Sequence, residues 1–157
     1  MAGEQGTSGA PPRQQSGLAH TMQGLVTRTH RAVYQWSGGR LGEYMGPMRA
    51  LLLTTTGRKS AQLRAIPLGY FRDGENFALI ASNWGRPNPP AWWLNLQAHP
   101  EAEVLVGRRR LHVRARQANA EEQARLWQRA VRSYPPYARY QRGIERAIPV
   151  VILEPIG

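Results

Sequence analysis

Cysteine is absent from all 157 residues, which excludes disulfides, thiol chemistry and cysteine-ligated zinc. Aspartate is nearly absent: Asp73 stands alone, in an Asp-Gly pair that reads as a turn, and most glutamates flank turns or helix starts. No two carboxylates are therefore placed for acid–base work. Serine–histidine catalysis lacks its Gly-x-Ser-x-Gly elbow, and no Gly-x-Gly-x-x-Gly dinucleotide pattern occurs. A P-loop is excluded too, because Arg58 separates Gly57 from Lys59 and no glycine stands at the earlier position required. The histidines, His20, His30, His99 and His112, are not spaced as metal ligands, so no metal site is expected. No apolar run approaches the roughly 20 residues of a membrane span. The N-terminus lacks a charged-then-apolar signal pattern, and a cytoplasmic protein is expected.

What is abundant is positive charge. The net charge is +11, which favours an anionic partner: nucleic acid, a membrane surface or an acidic cofactor. Lys59 is the only lysine; the other twenty of the 21 basic residues are arginine. The length suits one domain. Residues 1–16, rich in Gly, Pro, Gln and Ser, read as a disordered tail, and residues 17–157 as a single domain. Within it, residues 17–37 predict an amphipathic helix, with Leu18, Met22, Leu25, Val26, Val33 and Trp36 on one stripe and Arg28 and Arg31 off it. Such a helix can lie on the domain or touch an anionic membrane.

The centre of the chain is residues 51–83. Residues 51–56 predict a strand ending at Gly57; a second strand runs from Ala65, with Ile66, Leu68 and Tyr70 on one face; Asp73-Gly74 turns the chain into a third strand over 77–81. Between the first two strands lie Gly57, Arg58, Lys59 and Ser60, with Arg64 just beyond. Three cations and a hydroxyl beside a glycine make an anion seat. A solvated turn is the plain alternative, and the placing of the sole lysine there argues against it.

Asn88 with Pro89 and Pro90 predicts the start of a short helix over 91–98, which stops at His99-Pro100 and puts Trp92, Asn95 and Leu96 on one face. A hairpin over 101–106 and 110–116 turns at Gly107. Its second strand turns Leu111, Val113 and Ala115 one way and Arg110, His112, Arg114 and Arg116 the other. That arginine stripe makes a nucleic-acid-binding module one alternative, but no base-stacking aromatics interleave with it, which favours a solvated face. Asn119 with Glu122 predicts a capping box for a helix to about Ser133. Pro135-Pro136 breaks it and opens a second helix with Tyr137, Tyr140 and Ile144 on one side, and residues 148–153 read as a closing strand.

These motifs carry a resemblance. Thr54-Thr55-Thr56-Gly57-Arg58-Lys59-Ser60 with Arg64 and Pro67-Leu68, then Ala81-Ser82-Asn83-Trp84-Gly85, then Pro90-Ala91-Trp92-Trp93-Leu94-Asn95-Leu96, resemble the deazaflavin-dependent nitroreductase family. The likeness runs from about Leu51 to Pro155. It implies an α+β fold, a split β-barrel of the FMN-binding type with flanking helices. It also implies an oxidoreductase that passes a hydride from reduced coenzyme F420 to a quinone, nitroaromatic or similar electron-poor acceptor. A cofactor that carries the reaction suits a chain so poor in catalytic groups.

F420 bears a phosphate and a polyglutamate tail. By the resemblance, Arg58, Lys59, Ser60 and Arg64 hold that acidic end, Ala81, Ser82 and Asn83 lie near the ring, and Trp92 and Asn95 form a wall. Tyr134, Tyr137 and Tyr140 match acceptor-side tyrosines, Tyr137 leading as proton donor. Asn83-Trp84 stands where many relatives have lysine-glycine, so the indole is expected to narrow the pocket. FMN ranks behind F420. A differently specific flavin- or lipid-binding barrel is the other alternative. The expected location is cytoplasmic, with peripheral contact at the inner face of the plasma membrane.

Overall fold

A computed structural model describes residues 44–45 and 48–157. Its strands are β1 (Tyr44–Met45), β2 (Met48–Thr56), β3 (Leu63–Asp73), β4 (Asn76–Ile80), β5 (Glu101–Val106), β6 (Arg109–Gln117) and β7 (Val150–Pro155). The helices are α1 (Ala91–Ala98), α2 (Ala120–Ser133) and α3 (Pro136–Arg142). Neighbouring strands follow the order β1-β2-β3-β4-β7-β6-β5, every pair antiparallel. β5 then returns to β2, pairing Leu53 with Val104, so six strands close into a barrel with β1 as a short extension. This is the split β-barrel with flanking helices. The predicted tail over 1–16 and helix over 17–37 lie outside the described residues.

Closure creates two cores, because side chains alternate across each strand. Phe77 and Leu79 point into the barrel with Leu51, Leu53, Val104, Val113, Val151 and Leu153. Ala78 and Ile80 point out with Val150 and Ile152, under Leu126 and Ala130 of α2 and Tyr137 of α3. Strands buried on both faces read as continuous apolar runs, which is why 77–81 and 148–153 show no polar alternation. Trp92, Trp93 and Leu96 of α1 join the inner core, so that helix is buried around most of its girth.

Two strands extend beyond their predicted starts. β2 begins at Met48 rather than at 51, since Arg49 and Ala50 still pair with Tyr70 and Gly69. β3 begins at Leu63, opposite Thr56. The hairpin from β5 to β6 turns at Gly107, whose φ of 60° suits glycine. The inward set Leu111, Val113 and Ala115 packs on the inner core as predicted. The arginine face is paired with acids: Arg110 with Glu103 at 3.2 Å, Arg114 with Glu101 at 2.7 Å, Arg116 with Glu154 at 2.8 Å. Such exposed pairs contribute little stability, but they offset the charge a phosphate backbone would need.

α2 opens with the predicted capping box: Glu122 N–H donates to Asn119 Oδ1 at 2.9 Å and Asn119 N–H to Glu122 Oε1 at 3.0 Å. Arg116 adds a fork onto the same carboxylate at 2.7 and 2.9 Å. That guanidinium first, and the Asn119 N–H second, hold the Glu122 pKa down to about 2. The cap thus ties α2 to β6.

Candidate active site

The turn between β2 and β3 is closed by its own backbone. Gly57 N–H donates to Gln62 O at 2.7 Å, and Ala61 N–H to Gly57 O at 2.9 Å. A Cβ on Gly57 would stand 2.8 Å from Ser60 Oγ and 3.0 Å from Gln62 O, so only glycine fits this close approach. Ser60 Oγ in turn accepts from Gln62 N–H at 3.2 Å. The result is a tight loop that turns Arg58, Lys59 and Ser60 out to solvent.

Asn95 fastens that loop to the barrel. It is 5 % exposed, and its Nδ2 donates to Thr55 Oγ1 at 3.2 Å. Its Oδ1 accepts from Arg58 N–H at 3.1 Å and from Arg58 Nη1 at 3.4 Å. The buried amide is therefore satisfied within the protein. It carries the turn through Arg58 while lining the cavity beside it.

A cavity of about 400 Å³ opens here, lined by the turn residues Gly57, Arg58, Lys59 and Ser60, by Arg64 and Ile66 of β3, and by Trp92 and Asn95 of α1. Among the described residues, no carboxylate pairs with Arg58, Lys59 or Arg64. A second cavity, about 570 Å³, lies where Thr54 and Thr56 meet Glu101, Glu103, Arg110 and His112. It is the larger of the two, but its carboxylates and its ion pairs suit an anion poorly. Three cations without acids make the smaller one the better fit to an acidic group, which they would meet with charge-assisted hydrogen bonds.

Ala81, Ser82 and Asn83 stand apart from these linings. Ala81 is fully buried in the inner core, and Asn83 Nδ2 folds back onto Asn88 O at 2.8 Å. They begin the segment that leads into α1, whose Ala91 and Trp92 line the cation cavity. Trp84 corrects an expectation. Its indole lines neither of these cavities; it is 65 % exposed, at the tip of a single 3-10 turn (Asn83–Gly85) with φ of 59°.

The tyrosines also divide differently from the expected order. Tyr137 is a core residue, 7 % exposed, with its ring 5.0 Å from that of Tyr134 and 6.2 Å from that of Tyr140. Its hydroxyl lies 3.6 Å from Met48 Sδ, and burial, followed by the two neighbouring tyrosines, pushes its pKa up to about 12. Helix periodicity put Tyr137 and Tyr140 on one side, but of α3 only Tyr137 is buried, packed into the outer core. Tyr134 and Tyr140 remain half-exposed, and the neighbouring Tyr134 hydroxyl is the main cause raising the Tyr140 pKa. Tyr140 also packs on Gly85, where an added Cβ would come within 2.8 Å of its ring.

One residue was missed. Arg146, after α3, aims its guanidinium at the carbonyls of Ala81, Ser82 and Pro87 at 3.0–3.2 Å. Nothing local in the sequence separates it from the exposed arginines Arg139 and Arg142.

A sequence model of the F420H(2)-dependent quinone reductase family matches residues 26–155. The chain is similar to an F420H(2)-dependent quinone reductase of Mycobacterium tuberculosis, 41 % identical over 132 residues, covering 82 % of this chain and 89 % of that protein. Among solved structures it is similar to an F420-H2 dependent reductase, FDR-A, at TM-score 0.61 and 40 % identity, over 67 % of this chain and 93 % of that one. A chain described as a domain-swapped dimer aligns at TM-score 0.63 and 35 % identity, over 85 % of this chain and 99 % of that one.

Proposed function

The chain belongs to the F420H(2)-dependent quinone reductase family, and from that premise we propose that its cation-lined cavity seats the acidic end of F420 while the exposed tyrosines face the quinone. Bound reduced F420 supplies the hydride. Lys59 and Arg64 grip phosphate or carboxylate oxygens, and Arg58, steadied by Asn95, shapes the wall between them. The observation that carries this reading is three cations around one cavity with no carboxylate beside them among the described residues. The test is oxidation of reduced F420 by a soluble naphthoquinone in the presence of the protein; no binding and no oxidation would sink it.

Quinone reduction leaves an oxyanion that needs a proton. Tyr140, half-exposed, is the better placed donor; Tyr137 is buried and keeps its hydroxyl against a methionine sulfur. Tyr140→Phe is expected to lower turnover about fivefold, close to 1 kcal/mol, with F420 affinity unchanged, and Tyr137→Phe to change turnover less than about twofold. Wild-type turnover in a Tyr134→Phe/Tyr140→Phe double variant would make solvent the proton source.

Location is a second part of the reading. We infer that residues 17–157 act as one domain, which meets an anionic bilayer through the amphipathic stripe predicted over 17–37 and through the exposed Trp84. Two facts support this: the net charge of +11 and an indole, the side chain favoured at membrane interfaces, standing in solvent. No helix among the described residues is long and apolar enough to cross a membrane. Sedimentation with anionic vesicles is expected for the full chain and is expected to be lost when residues 1–36 are deleted. A deletion that turns the protein insoluble would place the apolar stripe in the core instead.

A further inference from the structure

The segment joining β4 to α1 is strained and is held from outside. Asn83 and Trp84 have φ of 49° and 59°, successive left-handed conformations in residues other than glycine. Such backbone persists only where its surroundings over-determine it. The surroundings here converge on Arg146. Its Nη1 donates to Ala81 O at 3.2 Å, its Nε to Pro87 O at 3.0 Å, and its Nη2 to Ser82 O at 3.0 Å, Arg86 O at 3.2 Å and, at longer range, Asn88 O at 3.4 Å.

No carboxylate pairs with this guanidinium among the described residues. The carbonyls satisfy it, and its planar fork is what lets one side chain reach five of them. The arginine is itself anchored. Gln141 Nε2 donates to Arg146 O at 2.9 Å, while Gln141 Oε1 accepts from Ile148 N–H at 2.8 Å. Tyr140, in the same helix as Gln141, presses on Gly85 within the segment.

We propose that Arg146 is a positioning residue of the reductase site: by clamping residues 81–88 it sets where the start of α1, which follows them, stands beside the cation cavity. The inference rests on the reading of that cavity as the F420 site. It also explains the segment's composition. A loop with two strained non-glycine residues needs a fixed partner, and a guanidinium reaching across from the far side of α3 supplies one. Ala91 and Trp92, immediately beyond the clamped stretch, wall the cavity, so a shift in the clamp moves the wall.

Arg146→Lys keeps the charge and most of the stem but replaces the fork with a point donor. Hydrogen exchange is expected to accelerate about tenfold at the amides of 82–88 in this variant, with β2, β5 and β6 unchanged. The F420 Kd and the quinone KM are expected to rise about fivefold while kcat changes less than about twofold, since the clamp positions and does not react. Arg146→Gln should show the same pattern more strongly. Faster exchange spread evenly over the barrel, or a loosened segment with Kd and KM unchanged, would overturn the proposal. Failure of the wild type to bind F420 would instead sink the functional reading, and the exchange pattern would still report whether Arg146 holds the turn.

Discussion

Lys59→Ala is expected to weaken F420 binding by about 1.5–3 kcal/mol, roughly ten- to hundredfold in Kd, and Arg64→Ala to do the same, because on the proposed reading each removes a charge-assisted hydrogen bond. Both side chains are exposed, both line the cavity of about 400 Å³, and neither has a carboxylate partner among the described residues. Their charge is therefore not already committed within the fold. Exposure also separates binding from stability: substitutions of this kind alter folding by less than about 0.5 kcal/mol. Raising the salt concentration should weaken binding in the wild type more than in either variant, since screening acts on the charges the variants lack. Fluorescence titration of F420 measures both effects. Wild-type affinity in both folded variants would reduce the cluster to a solvated turn.

Asn95→Leu should cost about 2–4 kcal/mol of stability, as orphaned buried polar groups cost roughly 1–3 kcal/mol each. The substitution keeps the branching and the number of side-chain heavy atoms but exchanges the amide for two bulkier methyl groups. It strands the Thr55 hydroxyl, whose residue is 1 % exposed, and the Arg58 N–H, which now donates to Asn95 Oδ1 at 3.1 Å. The loss reaches function as well, because the loop that presents Lys59 is fastened through Arg58. Asn95→Asp is expected to be milder: a carboxylate still accepts from Arg58, and the Thr55 hydroxyl can turn to donate. Denaturant unfolding resolves the order. Equal midpoints for Asn95→Leu and the wild type would show that the amide only fills space.

The features legible in the sequence are those decided by neighbours along the chain. Gly57 between a β-branched run and a cluster of cations marked the turn after β2, and that cluster does line one cavity. Asn119 and Glu122 announced the α2 cap, which forms with both of its hydrogen bonds. Asp73-Gly74 marked the turn between β3 and β4, where Gly74 takes a φ of 61°. Each depends on φ and ψ preferences or on spacing within a few residues.

The tyrosines, Trp84 and Arg146 show what lay beyond that reach. Helical spacing correctly put Tyr137 and Tyr140 on one side of α3, yet it could not say that Met48, 89 residues away, would take up the Tyr137 hydroxyl. Nor could the identity of Trp84 foretell exposure, because its direction follows from the left-handed turn that carries it.

By itself the sequence determined the local frame: the strands and their turns, the α2 cap, the lack of cysteine, and the basic loop with its single lysine. Tertiary structure alone decided which groups meet. Asn95 finds Thr55 across 40 residues and Arg146 finds Ala81 across 65. Such meetings are set when the barrel closes and buries one face of each element, and burial is a property of the packed whole that no local window contains.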